Sequence, residues 1–473
     1  MSNLTPEQKY LIVSAELKAR GLKPAVRKKE KQKENWRLGE NGFFTSSDGN
    51  LYVPTKTQGE FINSDSQFSA FIGARGSGKS LSITTEIPTI DGWKLMGNIE
   101  IGDILFDEKG NTSKVTNISP IMYGHKCYRI VFSDDSEVIA DAEHLWVTLT
   151  AKARSSFGRR AGQTEFSKLR PQCQPKYDYD VFTTEEIKNS LEVSERGDKN
   201  HSIDCALPLV LPDKQLLIPP YILGAWLGDG DSNSTRITIG KDSKEIIGEI
   251  EKEGGIIISQ PHDPICFRID FVENSQPRNA LGMYSRNKDS FHSRLIDLNL
   301  LGNKHIPIEY LRASYEQRFA LLQGLMDTDG CCMENSKCEL SLSNRKLADD
   351  FGELIHSLGY KTTLKEGTAK CNGKTFIRYR FSFVSHENIF RISYKLKRIC
   401  PPKKQFLRTK RRYIVSVEEV DSMPVKCIAV DSPKNLFLIT KSFIPTHNTA
   451  AGAQKALKKV KEGLSGSVLN PDF

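Results

Sequence analysis

Two distant points of this sequence carry residues that together could do acyl-transfer chemistry: Ser80 at one, and His447, Asn448 and Thr449 at the other. A hydroxyl at the first residue of a segment can attack the preceding carbonyl and turn an amide into an ester. A second hydroxyl just past the segment can then accept the acyl group, and an asparagine at the segment's end can cyclise and cut its own peptide bond. Ser80, Thr449 and Asn448 supply all three functions. Both hydroxyls are weak nucleophiles and an amide nitrogen is a poor leaving group, so positioned acids and bases must assist. His447, beside Asn448, and His144, in Ile139-Ala-Asp141-Ala-Glu143-His144-Leu-Trp146, are the candidates.

The sequence around the cut points supports removal of 80–448. Gly73-Ala-Arg-Gly76-Ser-Gly78-Lys79-Ser80 fits G-x-x-x-x-G-K-S/T, a loop whose backbone amides and lysine cradle phosphates. That loop must open a helix, because the helix N-terminus holds the phosphate. Instead Ser80-Leu-Ser-Ile-Thr-Thr-Glu-Ile-Pro88-Thr89 is β-branched and ends in proline, a reasonable strand and a poor helix. The missing helix follows Asn448, where Thr449 to Gly463 is rich in alanine and lysine and closes on glycine. Joining Lys79 to Thr449 restores the motif with Gly73, Gly76, Gly78, Lys79 and Thr449 as phosphate and magnesium ligands. The excised piece is 448 − 80 + 1 = 369 residues, and 473 − 369 = 104 remain.

The two ends resemble an intein, a protein-splicing element. Ser80 onward, with Ile87-Pro-Thr-Ile-Asp-Gly-Trp-Lys94 and Ile101-Gly-Asp103, is similar to the family's opening. Cys427-Ile-Ala-Val-Asp431 and Phe443-Ile-Pro-Thr-His447-Asn448 are similar to its closing motifs. The resemblance implies an all-β horseshoe (Hint) fold that splices without a cofactor. It further implies that His144 strains and protonates the first scissile amide, and that Cys427 assists the early steps. The family usually has threonine three residues before that histidine; here Asp141 stands there, which leaves its role open. Serine and threonine also replace the commoner cysteines, so slower splicing is expected.

A second chemistry sits inside the segment. Tyr221-Ile-Leu-Gly-Ala-Trp-Leu-Gly-Asp229-Gly230 and Phe319-Ala-Leu-Leu-Gln-Gly-Leu-Met-Asp327-Thr-Asp329-Gly330 are apolar helices with small residues, each ending at an acid followed by glycine. Each leads into an alternating strand and a helix, which makes an internal duplication. Helices packed through glycine bring Asp229 and Asp329 together, and paired acids beside a phosphodiester can hold divalent metal. Residues 213–400 resemble the LAGLIDADG homing endonucleases, with Lys304-His-Ile-Pro307 and Ser357-Leu-Gly-Tyr360 included in the match. The resemblance implies an α+β, pseudo-twofold αββαββα unit, monomeric, that straddles double-stranded DNA and cuts both strands with Mg2+. Asp229 and Asp329 would bind the metal, and Lys304 would help as a base. Arg236, Arg378 and Arg380 are candidate DNA contacts, the last two on one side of a strand. Lys395 to Arg398, and Lys403-Lys404 through Arg411-Arg412, form a basic run suited to phosphates.

The elements that must position these groups imply a multidomain chain of 473 residues. The expected parts are 1–79, the start of a nucleotide-driven host; 80–212, the first part of the splicing domain; 213–400, the endonuclease; 401–448, the rest of the splicing domain; and 449–473, the host's phosphate-loop helix. The flanks are fragments of an α/β P-loop ATPase and resemble the ATPase of a phage terminase large subunit, which implies ATP and Mg2+ for the complete host. The 104 joined residues lack a second nucleotide motif and a nuclease centre, so the host is expected to be incomplete as given.

Composition narrows the classes. Hydrophobic residues make up 38% and charged residues 26%, ordinary for a soluble globular protein, and no apolar run approaches a membrane span. The amino terminus has no secretory signal, and ten cysteines without a C-x-x-C pair suit a reducing, intracellular location. A net charge of +9 favours a polyanionic partner, while Arg27 to Lys33 reads most simply as an exposed basic linker. Two other readings remain at this point: a P-loop ATPase with an inert insertion, in which Ser80 stays the loop serine, and an interaction protein with decayed splicing and nuclease parts.

Overall fold

The computed structural model describes residues 80–447, apart from 156–178, 194–196, 241–243, 261, 274–286, 334–335, 372–373 and 402–408, together with two short strands, Arg37–Leu38 and Phe44–Thr45. Gly73, Gly76, Gly78, Lys79, Asn448, Thr449 and the basic run at 27–33 lie outside the described residues. The chain divides into two compact units, Met1–Gly76 with Ala450–Phe473, and Ser77–Thr449.

Within the second unit, strands from both ends of the segment share one antiparallel eight-stranded sheet. Its order is Asp180–Thr183, Leu145–Thr150, His201–Asp204, Arg411–Val420, Cys127–Phe132, Glu137–Asp141, Leu81–Ser82 and Val425–Lys426. Period-two patterning explains the pairing: Tyr128, Ile130 and Phe132 point inward while Arg129 faces solvent. Leu81, Ile130, Phe132, Trp146, Ile203, Ile414, Phe437 and Ile444 build the core from segments more than 300 residues apart. The β-branched run after Ser80 does form strand, but in two pieces, Leu81–Ser82 and Glu86–Thr89. Ser82 Oγ bonds the Thr84 hydroxyl and accepts from its amide, and this local competition turns the backbone between them. Both strands of the closing hairpin, Leu436–Ile439 with Ile444–His447, are buried throughout.

The intervening α+β part is built on two helices, Pro220–Asp229 and Tyr315–Thr328. They cross where glycine removes the side chain. A Cβ at Gly224 would collide with the Leu321 carbonyl, one at Gly324 with the Tyr221 carbonyl and Ala225 N, and one at Gly228 with Thr328 Oγ1. Each helix feeds a sheet backed by an amphipathic helix, Glu245–Lys252 in the first half and Arg345–Ser357 in the second. The expected αββαββα pattern holds in the second half, whose four strands run Gly330–Cys332, Lys337–Leu342, Lys374–Val384, Thr362–Cys371. The first half departs from it. Its sheet has three strands, Arg236–Thr238, Asp263–Asp270 and Ile256–Gln260, and the remaining strand is reduced to a bridge between Gly230 and Ile237. Asp231 is the cause: its carboxylate takes the Asn233 amide and Ser234 hydroxyl, folding the chain back immediately after Gly230.

Hydrogen bonds from charged side chains bind this part to the strands around it. Arg312, 1% exposed, donates from Nε to the Thr89 carbonyl at 2.9 Å and pairs with Glu353, which also accepts from Trp93 Nε1 at 2.6 Å. Lys361 Nζ reaches Ser133 Oγ at 2.8 Å and the Arg411 carbonyl at 3.0 Å.

Two candidate active sites

Ser80 is fully buried at the start of its strand, and its neighbour across the sheet is Asp141. Ser80 N donates to Asp141 Oδ2 at 3.2 Å, and the Asp141 amide donates back to the Ser80 carbonyl at 3.0 Å. Asp141 Oδ1 accepts from Glu143 N at 3.0 Å, and His125 Nδ1 lies 3.4 Å from Oδ2. Burial pushes this carboxyl up to about 7, against the opposing pull of hydrogen bonds from the Ser80, Glu143 and His144 amides. His144 is 1% exposed, lies edge-to-face on Trp146, and its Nε2 sits 2.6 Å from Thr446 Oγ1. Thr446 immediately precedes His447 on the closing hairpin, so that hairpin reaches the imidazole. Cys427 is buried, and its amide donates to Ser119 Oγ at 2.9 Å. With Lys426 opposite Leu81 in the register, Cys427 comes level with Ser80.

Of the residues expected here, Ser80, His144, Cys427 and His447 are gathered from four separate segments. Sequence reasoning missed His125 and Thr446 and left Asp141 undecided. The signal for Thr446 was its place within Thr446-His447-Asn448; no pattern marked His125. The arrangement surrounds the Ser80 nitrogen, which must leave in an acyl shift, with a high-pKa carboxyl.

The second site lies at the ends of the crossing helices. Asp229 and Asp329 end the two helices close enough for each carboxyl to perturb the other. Burial raises both, Asp329 to about 6, with the Asp229 charge adding to the rise there. Lys304 Nζ caps the first helix, donating to the carbonyls of Leu227 at 2.9 Å, Gly228 at 3.2 Å and Gly230 at 2.6 Å. Burial lowers it to about 8. Lys395 repeats this on the second helix, with Met326, Asp327 and Thr328 carbonyls at 3.0, 2.7 and 3.0 Å. Expected only as part of a phosphate-binding run, Lys395 is instead the pseudo-twofold mate of Lys304, a role the duplication itself could have signalled. Asp327, fully buried, accepts from Tyr221 OH at 2.8 Å and from the Arg391 amide, and so ties the helices together.

The basic run is corrected elsewhere as well. Arg411 pairs with Asp204, and Arg412, 1% exposed, pairs with Asp134 at 2.5 Å and donates to the Ser442 carbonyl. A guanidinium buried in a core needs a carboxylate partner, and both are engaged there rather than offered to phosphate. The three arginines expected to contact DNA lie on sheet strands. Arg236 is exposed and paired with Asp231 at 2.9 Å. Arg378 and Arg380 share one face of their strand, with Tyr379 buried on the other, and Arg378 Nε has no hydrogen-bond partner among the described residues.

Among the described residues no cluster of three or more histidine, cysteine or acidic side chains could hold a metal ion. A divalent ion between Asp229 and Asp329 would therefore draw its other ligands from water and phosphate. Magnesium is commonly held that way, and two carboxyls at the adjoining ends of the helices fit it. Among the described residues no helix is long and apolar enough to cross a membrane.

Residues 316–416 match the family described as LAGLIDADG-like domain. They are similar to that family over the second helix and its four-stranded sheet. A replicative DNA helicase DnaB of Mycobacterium intracellulare is 34% identical over 384 residues, 80% of this chain and 60% of its own length. One from Mycobacterium leprae is 40% identical over 73 residues, 15% of this chain and 12% of its own. The chain thus spans less than two thirds of the curated relatives it matches. Only 104 residues lie outside 80–448, so most of the longer match falls within that segment. Among solved structures, the MchDnaB-1 intein is 13% identical, covering 78% of this chain and 99% of its own with a TM-score of 0.24. The gp41-1 intein is 33% identical over 15% of this chain and 52% of its own, with a TM-score of 0.14. A terminase host finds no support in these relatives, which are named as helicases.

Proposed function

We propose that residues 80–448 are a self-excising splicing element that carries a DNA endonuclease and interrupts the phosphate loop of a nucleotide-driven host. The observation that carries the reading is the meeting of the segment's two ends: Leu81, beside Ser80, pairs with Lys426, and His144 lies against Thr446, next to His447. The division of the chain within three residues of the proposed cut points also supports it. Ser80 Oγ attacks the Lys79 carbonyl, exchanging an amide for an ester, with Cys427 and His144 shaping the site. Thr449 Oγ then accepts the acyl group. The Asn448 side-chain amide attacks its own carbonyl with His447 assisting, the segment leaves, and the ester at Thr449 rearranges to a peptide bond.

In the endonuclease, Asp229 and Asp329 would hold Mg2+, which when bound activates water and stabilises the leaving oxygen. Lys304 and Lys395 fix the helix ends that carry these acids. Arg236, Arg378 and Arg380 would contact double-stranded DNA, whose natural target is the host's own uninterrupted loop sequence. The host, once joined, would bind ATP and Mg2+ through Gly73, Gly76, Gly78, Lys79 and Thr449. The terminase likeness rests on the flanks alone, and any P-loop ATPase meets the same requirements. Mass analysis of the full chain beside Asn448→Ala tests the reading. A 369-residue species with a ligated 104-residue product, both absent in the variant, is expected. Persistence of the 53.2 kDa chain across temperature and pH would return weight to an inert insertion.

A further inference from the structure

We propose that Asp141, rather than His144, is the acid that protonates the leaving nitrogen in the first acyl shift. The inference rests on the splicing reading above and changes which residue performs its first step. Two observations carry it. Asp141 Oδ2 accepts from Ser80 N at 3.2 Å, so a carboxyl oxygen stands at the leaving nitrogen, whereas His144 Nε2 lies 2.6 Å from Thr446 Oγ1 on the closing hairpin. The Nε2 edge of His144 is thereby engaged with the closing hairpin, while Asp141 stands at Ser80.

The chemistry balances as an isomerisation. Ser80 Oγ forms a bond to the Lys79 carbonyl carbon, and the bond from that carbon to Ser80 N breaks. In the resting state the carboxyl accepts from the Ser80 N–H; once the carbon is tetrahedral and the nitrogen gains a lone pair, the Asp141 carboxyl gives its proton to it, and the proton released from the Ser80 hydroxyl restores the acid, so no co-reactant is consumed. A carboxyl at its ordinary value would be ionised at neutral pH and have no proton to give; burial keeps Asp141 partly protonated up to about 7. The charged and titratable groups facing it are few. His125 contacts Oδ2 from the preceding loop, Cys127 is opposite in the sheet, and Glu143 and His144 follow in the chain. Nearby Lys126 is engaged with Glu185 and Glu419. His125, 24% exposed, offers a route by which solvent protons reach the buried acid.

The test isolates the first step. In a full chain carrying Asn448→Ala and Thr449→Ala, saturating hydroxylamine intercepts the ester and releases residues 1–79. The expected release rate is level below about pH 7 and falls above it. Adding Asp141→Asn should slow release about 100-fold and abolish the inflection, while His144→Gln should keep it. Folding of the Asp141→Asn chain is scored separately as Asn448-dependent release of 449–473 in a Ser80→Ala background, a reaction that does not touch Ser80 N. An unchanged rate and inflection in Asp141→Asn, or loss of the inflection only in His144→Gln, would overturn the assignment. No release from the parent chain at any pH would instead sink the splicing reading on which it rests.

Discussion

The two sites raise the pKa of a carboxyl by different constructions. At the splicing site a single acid, Asp141, is buried among strands drawn from both ends of the segment, and its pKa rises because water is excluded. At the nuclease site two acids stand together at the ends of duplicated helices, and part of the rise in Asp329 is the charge of its mate. The difference teaches what each site requires. A reaction that happens once per molecule can be assembled from distant chain ends. A site that acts on both strands of a duplex repeats one local unit, down to the lysines that cap each helix.

The sharpest way to test that separation is to disable one chemistry alone. Asp329→Asn should reduce DNA cleavage roughly a thousandfold or more. Splicing measured on the same preparation should be unchanged, and a parallel loss of splicing would break the comparison. Next in size is an effect the two regions should share. Glu353→Ala leaves Arg312 buried without its carboxylate and is expected to cost about 3–5 kcal/mol, read as a lower denaturant midpoint with both activities failing together on warming. Retention of splicing after the nuclease part has melted would show the regions to be uncoupled.

Stability against pH gives a smaller effect with a definite sign. A carboxyl raised in the folded state favours folding fully below its ordinary value and loses that advantage as pH rises through its folded value. The window runs up to about 6 for Asp329 and about 7 for Asp141. Asp329→Asn and Asp141→Asn should each raise stability at pH 7.5 by on the order of 1 kcal/mol and flatten the profile in their own windows, measured by chemical unfolding at several pH values. The smallest effect belongs to Arg236→Ala. Arg236 is exposed and already paired with Asp231, so DNA affinity should weaken little, and the slope of log affinity against log salt should fall by about 1 or less.

Much of this was legible in residue order. The two acid-ending helices and the strand character after Ser80 follow from periodicity over short windows. What escaped the sequence depended on the third dimension. Lys395 looked like one cation in a basic run because nothing local says that it turns inward onto carbonyls. Arg411 and Arg412 read as a phosphate surface, yet their partners Asp204 and Asp134 lie more than 200 residues earlier in the chain. The missing strand in the first half follows from one side chain, Asp231, capturing its own turn.

The most direct measurement is sequencing, by tandem mass spectrometry after digestion with a protease that spares lysine, of the peptide that spans the junction in the expressed product. Excision predicts a peptide in which Gly78-Lys79 runs directly into Thr449-Ala450. Recovery solely of peptides in which Lys79 is still followed by Ser80 would contradict it.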